Sequence, residues 1–270
     1  MTLHTYPDLV QGSDEWLELR RGVITASAIG SYITTKKLTA ADYDCPQCNA
    51  TPGDPCLSVR SGTPIKTMHP ERADNARRNP KTILETASND NSRSLTALLA
   101  AERITGWVDP VYVSDDMLRG TLDEPLARDV YAKHYAPVKE IGFMVRDDWG
   151  FKLGFSPDGL VGDDGLIEIK SRRPKIQVQT VVSGHPPIEV MAQLQTGLLV
   201  SGRKWIDYVS YAGGMNLWVH RTYPQITWFD AIIRAGRACE ANITETMRTY
   251  LEAVEGLPMT ERTIEEEIVI

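Results

Sequence analysis

The chain has 270 residues, a formal net charge of −7, 42% hydrophobic and 24% charged residues. That composition excludes a disordered chain, a collagen-like repeat and a coiled coil, and the length fits one large domain or one domain plus a small module. The acidic balance argues against a protein that coats nucleic acid non-specifically, but not against a nucleic-acid enzyme whose acids hold metal ions. No apolar run reaches the roughly 18–20 residues a membrane helix needs, and the segment Met1 to Trp16 lacks a signal peptide's basic patch and apolar core, so no membrane association and a cytoplasmic protein are expected.

Residues 13–33 read as helix, turn, helix, with Trp16, Leu17 and Leu19 as an apolar face and Thr25 or Ser27 as cap of the second helix. Residues 41–80 change character. They hold many prolines and glycines and few large apolar side chains, which predicts a loop-rich inserted module unable to build its own core. Three of the four cysteines fall here, as Cys45-x2-Cys48-x7-Cys56, followed after twelve residues by His69. In a reducing compartment such clustering suggests metal rather than disulfides. Cys45, Cys48, Cys56 and His69 would make a Cys3His structural Zn²⁺ site, whose binding energy would fold the segment. Residues 57–81 carry six Lys/Arg against two acids, and Arg72, Arg77, Arg78 and Lys81 are either phosphate contacts or a solvated face.

Residues 81–105 and 116–135 show helical patterns, the second with Leu118, Leu122, Leu126 and Val130 spaced by four. Residues 138–170 read as strands and a hairpin, 186–201 as a helix opened by Pro186-Pro187, and 204–212 and 215–223 as two strands around Gly213-Gly214. A long helix over 227–255 closes the chain, with Cys239 as a small buried apolar side chain. The expected fold is α/β, a mixed central β-sheet flanked by helices.

The stretch Ser156-Pro157-Asp158-Gly159 through Ile167-Glu168-Ile169-Lys170 carries the chemistry. Gly162-Asp163-Asp164-Gly165 is turn chemistry between two apolar runs, so Asp158 opens one strand and Glu168 lies on its partner. Glu168 and Lys170 share one face, while Ile167 and Ile169 face the core. Two carboxylates and an ammonium on one face are costly unless paired. A hard divalent cation, Mg²⁺ or Mn²⁺, held by Asp158, Glu168 and the Ile169 carbonyl resolves this, with Lys170 beside an activated water. The implied reaction is phosphodiester hydrolysis.

Four segments in order, Trp16-Leu17-Glu18-Leu19-Arg20-Arg21-Gly22-Val23-Ile24-Thr25-Ala26-Ser27, Gly120-Thr121-Leu122-Asp123-Glu124, the Asp158/Glu168/Lys170 stretch and Met191-Ala192-Gln193-Leu194-Gln195, resemble the lambda exonuclease (YqaJ-type phage recombinase) family of the PD-(D/E)xK nuclease superfamily. The resemblance spans about residues 12–40 and 85–225. It implies that Arg20 and Ser27 bind a terminal 5′-phosphate, that Glu124 is a further metal-site carboxylate (with Asp123 its rival), and that Gln193 or Gln195 faces the site. It further implies a 5′→3′ exonuclease on double-stranded DNA ends, a ring-shaped homotrimer and a single-strand annealing protein as partner in phage recombination. Residues 41–80 lie outside that pattern. Their Cys-Pro-x-Cys-x-Ala-x-Pro-Gly-x-x-Cys run and His69-Pro70-Glu71-Arg72 resemble a small zinc module of phage and actinobacterial proteins. Some relatives of the nuclease fold hold an iron–sulfur cluster on one N-terminal and three C-terminal cysteines; here the count is reversed, which favours zinc. The expected organisation is 1–40 and 81–270 as nuclease domain with 41–80 inserted. A restriction- or repair-type endonuclease and a non-catalytic DNA-binding protein on the same fold are the alternatives.

Overall fold

The computed structural model describes residues 2–110 and 113–262. Strand β1 (Leu3–Tyr6) leads to α1 (Asp14–Arg20), whose first turn is capped by Ser13 Oγ accepting the Trp16 N–H at 3.3 Å. The expected second helix does not form. Ile24–Thr25 is instead a short strand, β2, paired in parallel with β6 (Leu153–Phe155), followed by a one-turn 3-10 helix at Ile29–Tyr32. Two β-branched residues, both buried, fit a central strand better than a helix start. β3 (Ile33–Lys37) then pairs antiparallel with β4 (Thr82–Thr86), from Ile33 opposite Thr86 to Lys37 opposite Thr82. The segment between them is thus carried on a two-stranded ribbon, and its one longer helix is α2 (Pro70–Arg78).

Because Ile83 and Leu84 lie on β4, the helix expected from residue 81 starts later, as α3 (Asp90–Thr105), where Asn89 and Ser92 form a reciprocal capping box. Helix α4 (Asp115–His134) forms where expected, but its leucine stripe does not face the core. Leu118, Leu122 and Leu126 are exposed, Leu122 by 63%, and α4 packs through Ala127 and Tyr131. A period-four spacing locates a helix; it does not by itself say which face is covered.

The remaining strands divide between two four-stranded sheets rather than one. β5 (Phe143–Arg146) joins β1, β6 and β2 in the order β1-β5-β6-β2; β7 (Gly159–Val161), β8 (Gly165–Ser171), β9 (Trp205–Tyr211) and β10 (Trp218–Thr222) form the order β10-β9-β8-β7. The chain passes from the first sheet to the second through Ser156-Pro157-Asp158, and Pro157, lacking an N–H, suits that break. β7 and β8 form the predicted hairpin, with Gly159 opposite Ile167. β8 and β9 are parallel, joined across α5 (Pro174–Ser183), which the sequence reading missed, and α6 (Ile188–Ser201). Helix α7 (Ile226–Ala253) is the long closing helix.

The second sheet is covered on both faces. Leu166, Ile206 and Tyr208 join Leu194, Leu198, Ile232 and Cys239 in the main core, and Ile167, Ile169 and Val209 pack with Ala127 and Tyr131 of α4 on the other face. Helix α6 comes very close to the sheets at Gly197, where an added Cβ would lie 2.6 Å from the Phe155 ring. The result is the expected α/β architecture with helices flanking the sheets.

Candidate active site and zinc module

Glu168 lies in mid-strand on β8, facing the main core side, and is 2% exposed. Its Oε1 accepts from Lys170 Nζ at 2.8 Å and from Gln193 Nε2 at 2.6 Å; its Oε2 is buried with no hydrogen-bond partner among the described residues. A buried carboxylate oxygen without a donor is expensive. Asp158, at the junction of the two sheets, accepts the Ile169 N–H on Oδ2 at 2.5 Å. Burial, then the charges of Glu168 and Glu124, push its carboxyl well above the usual range. Glu124 on α4 points into the same space, where burial outweighs Arg128 and, with Glu168 and Glu140, holds it above its ordinary value. For Lys170 burial opposes the charge, but Glu168 and Asp158 more than offset it and raise its pKa.

These groups line one cleft of about 340 Å³, which also takes in Ile169, Arg20, Ser27 and Gln193. Arg20 stacks on Trp16, 4.0 Å from the ring centroid, and donates to Ser156 Oγ at 3.1 Å; Trp16 Nε1 donates to the same hydroxyl at 3.1 Å. Burial draws the Arg20 guanidinium down to about 10, against the pull of Glu102, and among the described residues no carboxylate is within ion-pair distance of it. A half-buried cation without an ion-pair partner at the edge of a cleft has the chemistry to receive an anion. Ser27 is exposed at the cleft, its Oγ 3.2 Å from Thr25 Oγ1. It caps no helix, because none of any length starts there.

The structure chooses between the paired alternatives. Gln193 faces Glu168, whereas Gln195 is fully buried, donating to the Tyr223 carbonyl and accepting the Gln225 N–H, each at 2.9 Å. Glu124 lines the cleft, whereas Asp123 accepts from Ser171 Oγ at 2.6 Å. Sequence reading missed Gln11, Ser156 and Arg128 near the site. Ser156 had a signal in the Ser-Pro-Asp-Gly lead-in; Arg128 had one in its i+4 spacing from Glu124.

The ligand atoms of Cys45, Cys48, Cys56 and His69 all lie within 4.8 Å of one another, close enough to share one tetrahedral ion. The Cys48 thiol is drawn down to about 6, chiefly by the Leu57 N–H at 3.4 Å, while burial pushes Cys45 up. Behind the cluster lies Arg72, 1% exposed. Its Nε donates to the Tyr43 carbonyl, its Nη1 to Asp54 O and Cys56 Sγ, and its Nη2 to Ala41 O and Thr51 O, at 2.7–3.7 Å. All five guanidinium N–H groups are used. Arg72 is therefore the module's internal brace and is unavailable to DNA, unlike Arg77 and Arg78, which are exposed.

Residues 80–204 match the YqaJ-like viral recombinase domain, and residues 15–88 match a phage zinc finger domain. The chain thus joins a stretch similar to the YqaJ-like viral recombinase domain to a module similar to a phage zinc finger. The zinc finger match extends beyond the cysteine segment to take in α1 and the β3–β4 ribbon. The fold is similar to the crystal structure of an alkaline exonuclease, LHK-Exo, from Laribacter hongkongensis, at 24% identity and a TM-score of 0.63, covering 91% of this chain and 100% of that one. The structure of LHK-Exo in complex with dAMP matches with the same values. A comparison with curated proteins gave no match. Among the described residues no helix is long and apolar enough to cross a membrane.

Proposed function

We propose that the chain is a Mg²⁺- or Mn²⁺-dependent exonuclease that digests the 5′-ended strand of linear double-stranded DNA to 5′-mononucleotides in phage-type recombination. The observation that carries this is the convergence of Asp158, Glu168, Glu124 and Lys170 in one cleft, with a buried Glu168 oxygen lacking any donor. Asp158, Glu168, Glu124 and the Ile169 carbonyl would hold the cation; it would lower the pKa of a bound water and offset phosphate charge. Lys170, fixed by Glu168, orients the attacking water, and Gln193 holds the Glu168 carboxylate in place. Arg20, with Ser156 and Ser27 beside it, takes the terminal 5′-phosphate, which places the chain end at one side of the cleft and sets the direction of digestion.

The domain division 1–40, 41–80 and 81–270 fits the ribbon, which places both ends of the insertion side by side. The zinc module, similar to a phage zinc finger domain described as DNA-binding, would present Arg77, Arg78 and Lys81 to phosphates. A ring-shaped homotrimer would have the exposed Leu118, Leu122 and Leu126 of α4 to bury, and a single-strand annealing protein would take over the strand left behind. A reducing cytoplasm, which keeps the module's cysteines available for zinc, suits the chain.

The test is hydrolysis of linear and covalently closed duplexes with and without Mg²⁺ and with 5′-phosphate or 5′-hydroxyl ends. Mg²⁺-dependent release of mononucleotides from 5′-phosphorylated linear DNA, with circles intact, is expected. Cutting of circles would make the chain an endonuclease of the restriction or repair type instead.

A further inference from the structure

Arg128 lies one helical turn after Glu124 on α4, and its side chain is 14% exposed. Its planar fork reaches in three directions. Nη2 donates to Glu124 Oε1, Nε donates to the Asp158 backbone carbonyl at 2.9 Å, and Nη1 pairs with Glu140 Oε2 at 3.0 Å. Glu140 is a peripheral partner, 72% exposed. Arg128 does not line the cleft of Arg20 and Lys170. It lies behind Glu124, along an adjoining cavity walled by residues 7–12 and 140–142.

We propose that Arg128 is a positioning residue. It locks the Glu124 carboxylate and the Asp158 backbone in one geometry, so that two carboxylates from different elements, a helix and the strand junction, meet on one cation. The inference rests on the hydrolase reading. Glu124 comes from α4 and Asp158 from the loop before β7, and among the described residues only the Arg128 side chain bonds to both. Lysine, a single point donor, cannot span the three partners at once. Groups that orient metal-ligating carboxylates matter nearly as much as the ligands, and losing one typically weakens metal affinity or activity about 10–100-fold.

The test uses the full chain. Mn²⁺ binding is measured by isothermal titration calorimetry without DNA for wild type, Arg128→Lys and Arg128→Gln, with circular dichroism to confirm folding and steady-state kinetics on linear duplex. Both variants should bind Mn²⁺ about 10–100-fold more weakly. Their kcat should fall while KM stays within about threefold, because Arg128 does not line the DNA-facing cleft. Glu140→Gln should stay within about twofold of wild type throughout, since it removes only the solvent-side anchor. A folded Arg128 variant with wild-type Mn²⁺ affinity overturns the proposal. Should neither variant fold, a crystal of wild type with Mn²⁺ decides: the guanidinium kept on Glu124 and the Asp158 carbonyl supports it, and a guanidinium turned away overturns it. If wild type binds Mn²⁺ but leaves DNA uncut, the hydrolase reading fails while the affinities still decide the role of Arg128.

Discussion

Arg72 provides a quantitative test of how the zinc module is built. Its five donated hydrogen bonds go to four backbone carbonyls and the Cys56 sulfur, in a segment whose apolar cluster is only Cys45, Ala50 and Cys56 with Cys48 and Ile65 against it. Arg72→Met keeps roughly the volume and removes every donor. Hydrogen bonds to a charged group are worth about 1.5–3 kcal/mol each. They do not add in full, because water reaches carbonyls near the surface; a net loss of about 3–5 kcal/mol is the expected size, as for breaking a buried charged network. In a segment that folds as it binds metal, that loss appears as zinc affinity. At about 1.4 kcal/mol per tenfold it corresponds to roughly 100- to 4,000-fold weaker Zn²⁺ binding. Competition with a chromophoric chelator measures this directly. Arg77→Met and Arg78→Met, on the exposed side of α2, serve as controls and should leave affinity unchanged. Arg72→Met with a zinc affinity within about threefold of wild type would refute the reasoning that this guanidinium stands in for a core.

Further predictions concern single contacts. Arg20→Ala should raise KM for 5′-phosphorylated ends by about 10-fold or more, the worth of a charge-assisted bond, and leave 5′-hydroxyl ends nearly unaffected; equal losses on both would remove Arg20 from phosphate recognition. Gly197→Ala should destabilise the fold by about 1–3 kcal/mol through overpacking against Phe155, read by urea denaturation, and an unchanged midpoint would contradict the close approach. In zinc-stripped protein at pH 7, Cys48, with its thiol near 6, should be mostly thiolate and alkylate before Cys45, whose thiol burial pushes up. Below pH 6 Cys48 takes up its proton and its alkylation should slow by about tenfold per pH unit, as mass spectrometry of iodoacetamide adducts would show.

Much of the carboxylate–lysine clustering was legible because a hairpin imposes it. Once Gly162-Asp163-Asp164-Gly165 is a turn, strand alternation puts Glu168 and Lys170 on one face, and the register carries Asp158 to them. The zinc ligands were legible because cysteine spacing in a coreless segment leaves few other uses for the residues. What stayed hidden depends on long-range pairing. Ile24–Thr25 becomes a strand only because β6 lies beside it, 128 or more positions away in the chain, and Ile83–Leu84 because β3 does. The leucines of α4 carry a helical period, yet the sheet meets the face of Ala127 and Tyr131, where Tyr131 fills the space against the sheet and its hydroxyl reaches Asp207 at 2.7 Å. Arg72 read as one more surface cation; only the fold shows five acceptors converging on it.

The central claim is that the carboxylate–lysine cluster cleaves DNA. The most direct measurement is Lys170→Ala assayed beside wild type for mononucleotide release from a 5′-phosphorylated linear duplex in Mg²⁺, with duplex affinity taken in parallel by filter binding. Loss of a positioned proton-transfer or water-orienting group costs about 10²–10⁴-fold, so hydrolysis should drop by that much while DNA affinity holds within about threefold. A variant that cuts at the wild-type rate would contradict the account.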